Sequence, residues 1–133
     1  MEIVLIRHGQ PEWMINDEYQ RNPGLTELGD IQSTKSARQF TKHSIDQIWV
    51  SPLNRAVQTL TPFETNEVAK EIKFFEWLKE MEDKDEVALY GKSSDEIMSF
   101  FEKRNSQTFE EWAVSSHGLY MQDFAKNIIT NLE

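Results

Sequence analysis

The chain has 133 residues, with 23 acidic against 14 basic side chains, a formal net charge of −9 and no cysteine. That length holds one small domain. The charge balance argues against a nucleic-acid binder, which needs a basic face, and the lack of cysteine excludes disulfides and thiol catalysis. No basic segment precedes a long apolar stretch at the start, and no apolar run reaches membrane-spanning length, so the sequence reads as a cytoplasmic, soluble protein without a membrane partner.

Met1 to Ile6 is a short apolar run with β-branched residues, which predicts a strand buried on both faces. Gln10 to Gly24 is polar and broken by Pro11 and Pro23, so it reads as a loop. Leu25-Thr26-Glu27-Leu28-Gly29 opens a helix with Thr26 as N-cap, and Ile31, Ala37 and Phe40 give it a weak inner stripe. Within Ile45 to Val50, Gln47-Ile48-Trp49-Val50 predicts a second short strand. Ser51-Pro52 follows at once, with serine as N-cap and proline at the first helical position of a helix to about Leu60. Pro62 interrupts that helix or begins another turn. Glu71 to Phe75 predicts a third strand, and alternation of strands and helices points to a parallel α/β sheet.

Beyond Phe75 the pattern turns helical. Glu80 to Glu86 is charge-dense and loop-like. Ser93 or Ser94 caps a helix through about Lys103, and Thr108 to Ala113 adds a turn. Leu119 to Leu132 is amphipathic, with Tyr120, Phe124, Ile128 and Leu132 at helical spacing. The expected organisation is a single domain over 1–133, with an α/β core over about 1–75 and a mainly helical region over 76–133.

Two segments carry chemistry. Arg7-His8-Gly9 follows the first predicted strand, where open α/β sheets bind ligands. A guanidinium there grips phosphate, and an imidazole beside it is a nucleophile toward phosphorus. Ser51-Pro52-Leu53-Asn54-Arg55-Ala56-Val57-Gln58-Thr59 follows the second strand and puts Arg55 in the first turn of a helix, on the same sheet edge. Two arginines, an imidazole and a helix N-terminus make a dianion pocket. His43 has no supporting motif, and Trp13 and Trp49 read as packing residues.

These segments, with Leu25-Thr26-Glu27-Leu28-Gly29 and the following Gln32, resemble the histidine phosphatase superfamily, also called phosphoglycerate-mutase-like. The resemblance implies a three-layer α/β fold with a mostly parallel sheet and flanking helices. It makes His8 the phosphoryl-accepting nucleophile, and Arg7 and Arg55 the ligands of the phosphoryl oxygens. Glu80, in Leu78-Lys79-Glu80, becomes the acid/base carboxylate ahead of Glu76 and Glu82. It implies a small phosphorylated substrate and no metal or other cofactor, and the scattered carboxylates agree.

The family also needs a second histidine at the end of a later strand, and here the sequence leaves two readings open. In one, Trp112 to Val114 is that strand and His117 is a phosphate-binding residue, as in the compact members that act on phosphohistidine. In the preferred one, His117-Gly118 is a loop before a helix, and the chain lacks the C-terminal strands of the fold. An exposed strand edge and self-association then follow. Met14 after Trp13, where mutase-type members carry Asn, favours phosphatase over mutase; Asn16 is the substitute. The leading function is a phosphomonoesterase working through a phosphohistidine on His8. The alternatives are a non-catalytic relative that binds a phospholigand or partner, and a phosphohistidine-protein phosphatase using His117.

Overall fold

Two stretches have both strand composition and a neighbour to pair with. In the computed structural model, which describes residues 1–16, 19–79 and 84–132, β1 (Ile45–Val50) and β2 (Ala69–Phe74) form a two-stranded parallel sheet, with Ile48 opposite Ile72 and Val50 opposite Phe74. Parallel strands need a crossover, here the helix α2 (Asn54–Thr65). Val50, Leu60, Phe63 and Val68 form the core with Ala37 of α1 (Glu27–Ala37), and Phe40, Ile45, Ile48, Ala56 and Ile72 pack against it. The fold is α/β, a parallel sheet with flanking helices.

Helix α1 starts where its sequence says it should. Thr26 is the N-cap and its hydroxyl accepts the Gly29 N–H at 3.0 Å. Its buried face follows the predicted stripe in part: Ala37 is buried and Phe40 packs against the core, whereas Ile31 is exposed and Gly29 and Ser33 are buried instead. Small residues on the inner face let α1 lie close to α2, which bulky ones would prevent.

Helix α2 begins two residues later than the Ser51-Pro52 signal predicts, with Leu53 at the N-cap. The reason is a remote cap: Asn22 Oδ1 accepts the Asn54 N–H at 2.9 Å, and Asn54 Nδ2 donates to the Asn22 carbonyl at 3.1 Å. Pro62 lies inside α2, which runs on to Thr65. An internal proline costs about 3 kcal/mol, offset here because the buried stripe Thr59, Leu60 and Phe63 continues past it.

The predicted strand at Met1 to Ile6 does not form. That segment makes no ladder, and Ile3 and Leu5 are 55% and 87% exposed. A strand needs a partner for its N–H and C=O groups, and the two strands among the described residues pair with each other.

The second half is helical: α3 (Lys84–Val87), α4 (Ser94–Asn105), α5 (Phe109–Ala113) and α6 (Ser116–Leu132). The start of α3 falls where an all-loop segment was expected. Ser93 caps α4 through a reciprocal box with Glu96. Thr108 does the same with Glu111, so Trp112 and Ala113 lie in helix α5 and Val114 is its C-cap; the strand reading of Trp112 to Val114 is wrong. The Thr-x-x-Glu box fixes helical backbone where three apolar residues suggested a strand. Helix α6 is held to the end of the sheet by rings: Trp49 meets Phe75 and Trp77, Trp77 meets Phe124, and the Tyr120 hydroxyl donates to the Lys79 carbonyl. Arg104, lying over the Phe100 ring, pairs with the buried Glu86 and ties α4 to α3. Among the described residues no helix is long and apolar enough to cross a membrane.

Candidate active site

His8 and Gly9 lie between the two helices that the motifs build. Thr59 and Arg55 stand one turn apart on the same face of α2. Each reaches one of the two adjacent residues. The Gly9 N–H donates to Thr59 Oγ1 at 3.1 Å, and that hydroxyl donates on to the Arg55 carbonyl at 2.7 Å. Arg55 Nε donates to His8 Nε2 at 3.2 Å. The spacing of Arg55 to Thr59 is therefore a geometric requirement: it lets one helix face hold the Gly9 backbone through Thr59 and the His8 ring through Arg55.

Helix α1 supplies the other wall. The backbone of residues 9 and 10 lies directly on it, at positions with no room for a side chain. A Cβ on Gly9 would stand 2.4 Å from the Gly29 carbonyl oxygen, and one on Gly29 would stand 2.4 Å from that of Gln10. The Thr26 N–H donates to the Gln10 carbonyl at 2.9 Å, and Gln32 Oε1 accepts the Gln10 N–H at 2.8 Å. The loop is latched to α2 as well, since Gln58 Oε1 accepts the Leu25 N–H.

These contacts fix the imidazole's chemistry. His8 Nδ1 lies 2.8 Å from the Gly9 carbonyl oxygen, which can only accept, so Nδ1 carries the proton. Nε2 is then a bare lone pair, as the Arg55 N–H facing it requires. A neutral imidazole with its outward nitrogen unprotonated is the nucleophilic form. His8 lines a hollow of about 240 Å³ with Arg7, Gly9, Gln32, Ser33 and Ser36. That is below the roughly 300–1,000 Å³ of drug-sized pockets and suits a small ligand. The lining contains a guanidinium and no carboxylate, which lets it receive an anion despite the chain's net charge of −9.

The model of the histidine phosphatase superfamily (branch 1) matches residues 3–130. The chain belongs to the histidine phosphatase superfamily. A 2,3-bisphosphoglycerate-dependent phosphoglycerate mutase from Lactobacillus acidophilus is 36% identical over 63 residues, which are 44% of this chain and 27% of the mutase. Phosphoserine phosphatase 1 from Hydrogenobacter thermophilus is 27% identical over 127 residues, 92% of this chain and 55% of that protein. The chain thus spans about a quarter to a half of the curated relatives it matches. A putative alpha-ribazole-5'-P phosphatase from Escherichia coli shares the fold, with a TM-score of 0.64 and 19% identity over 94% of this chain and 65% of that one.

Of the residues the sequence singled out in this histidine phosphatase domain, the structure brings Arg7, His8 and Arg55 together. Arg7 is exposed and lines the hollow with His8, and Arg55 touches the ring. Glu80 and Glu82 lie outside the described residues. Glu76 is exposed in a 3-10 turn after β2 and pairs with Lys79. His117 stands in the first turn of α6, neither at the end of a strand nor in a loop, and its side chain lies outside what the structure describes. His43 sits in a turn with φ 54° and donates its N–H to the Glu67 carbonyl. Sequence reasoning missed Thr59, Gln58 and Asn22 as supports of the site. The signal for Thr59 was there, one helical turn after Arg55. Asn22 and Gln58 carried none, because their partners are remote in the chain.

Proposed function

We propose that this domain is the phosphoryl-accepting part of a phosphatase, with His8 as nucleophile toward a small phosphomonoester. The observation that carries the reading is the pair of contacts on the ring: Gly9 holds the proton on Nδ1, and Nε2 faces the Arg55 guanidinium. In the reaction, the Arg55 N–H passes from Nε2 to a phosphoryl oxygen, the freed Nε2 lone pair attacks phosphorus, the bond to the leaving oxygen breaks, and the phosphoryl group passes to Nε2. Arg55 and Arg7 offer N–H donors to the phosphoryl oxygens, where charge accumulates. Protonation of the leaving oxygen falls to Glu80 by the family resemblance, and water then hydrolyses the phosphohistidine.

Phosphatase is preferred to mutase because the relative matching 92% of this chain is a phosphatase by name, whereas the mutase match spans 44% of it. One observation favours a second reading, a phospholigand-binding relative without turnover: among the described side chains, His8 is the imidazole that lines the hollow. Hydrolysis of p-nitrophenyl phosphate separates the two. The phosphatase reading expects turnover by the wild type, abolished in His8→Ala and reduced at least a hundredfold in Arg55→Ala, in line with the roughly 10²–10³-fold cost of removing a transition-state donor. Wild-type activity no higher than that of His8→Ala contradicts it and leaves the binding reading.

A further inference from the structure

We propose that Gln32 is a ligand-binding residue of this site, working at both ends of its carboxamide: Oε1 fixes the backbone behind His8, and Nε2 donates to an oxygen of the bound phosphoryl anion. The inference rests on the reading of the hollow as a phosphoryl site and names a further contact in it.

The orientation of the carboxamide follows from its partner. The Gln10 N–H is a donor, so the atom 2.8 Å from it must be the carbonyl oxygen. The NH₂ group is left on the other side. Gln32 lines the hollow with Arg7 and His8, and among the described residues its NH₂ has no hydrogen-bond partner. It is exposed, so it carries no desolvation penalty that a ligand would have to overcome. One turn further along α1, Ser36 lines the same hollow. The α1 wall therefore brings neutral polar side chains to a hollow that also holds the Arg7 guanidinium. The position of Gln32 is well determined, because the backbone it clasps is pressed against Gly29 with no space to shift.

The two ends of the side chain make different predictions, so they can be separated. The probe is inorganic phosphate titrated into the ¹⁵N-labelled protein. The His8 ring nitrogens and the Gln32 carboxamide are followed together, the latter assigned in the wild type through its own side-chain connectivity. The proposal expects the Gln32 NH₂ protons to shift downfield and to saturate at the same phosphate concentration as His8, and expects Gln32→Ala to weaken phosphate binding by about tenfold, as for a hydrogen bond to a charged group. Saturating shifts at His8 with an unmoved Gln32 NH₂ overturn the proposal alone and leave Gln32 as a backbone brace. No saturable shift at either residue overturns the phosphoryl-site reading together with the proposal. The resonance measurement uses the wild-type chain, so it stands even if Gln32→Ala folds poorly.

Discussion

At His8 one carbonyl oxygen decides the chemistry. Turning the Gly9 carbonyl away from Nδ1 would free the other tautomer and put the proton on Nε2. Gln32 guards against this by accepting the Gln10 N–H, which shares a peptide plane with that carbonyl, and Thr59 holds the preceding unit by taking the Gly9 N–H. Thr59→Val keeps the shape and removes the hydroxyl, leaving the buried Gly9 N–H without its acceptor. The expected loss is about 1–3 kcal/mol, read by urea denaturation, with weaker phosphate binding. Stability and binding equal to wild type would contradict the role given to that hydroxyl. Gly29→Ala tests the other wall. Its Cβ falls on the Gln10 carbonyl oxygen, and backbone cannot step aside as a flexible side chain could. An overpacking cost of roughly 1–3 kcal/mol and displaced His8 resonances are expected.

Among the elements, those with local signals were legible and those set by remote partners were not. Strand β1 was read with its observed end because apolar residues stop at a turn signal, its start falling two residues earlier than Gln47, and the start of α1 was read because Thr26 caps it. The inner face of α1 was legible at Ala37 and Phe40 but hidden at Gly29 and Ser33, which carry no hydrophobic signal. The start of α2 was misread because its cap, Asn22, lies far back in the chain. The site itself was legible as motifs, while the contacts that hold it, through Gln58, Gln32 and Thr59, were not. Helix α4 supports a prediction about pH. The Ser93 N–H, with the Ser93 hydroxyl, holds the Glu96 carboxyl below its ordinary value of 4.5. A lowered folded pKa stabilises above the unfolded pKa, and that contribution is lost as pH falls through the folded one. Asp46, held down by Lys70, and Glu67, held down by Lys42, act in the same direction. Helicity followed by circular dichroism should therefore fall on acidification below about the ordinary carboxylate range. Glu96→Gln should flatten the part of that fall that belongs to α4. An unchanged acid profile in Glu96→Gln would contradict the cap's contribution.

The whole molecule carries an unresolved tension at its N-terminal end. The composition of Met1 to Ile6 suits a buried strand, yet Leu5 is 87% exposed and the segment pairs with nothing among the described residues. A pairing partner is a non-local property, which is why composition alone misplaced this segment. An exposed apolar run with unpaired backbone groups invites association. Sedimentation of residues 1–133 should show concentration-dependent self-association that Leu5→Lys reduces, and a monodisperse monomer at high concentration would contradict this. The net charge of −9 opposes such contacts, so added salt should strengthen them.

The central claim, that His8 Nε2 accepts a phosphoryl group, is tested most directly by trapping that group. The protein is mixed with a small phosphoryl donor, quenched in alkali and digested, and the peptide carrying His8 is examined by mass spectrometry. The account predicts an acid-labile, alkali-stable phosphoryl group on His8, absent from His8→Ala and strongly reduced in Arg55→Ala. A label on another residue, or none on His8 under conditions where phosphate binding is measurable, would contradict it.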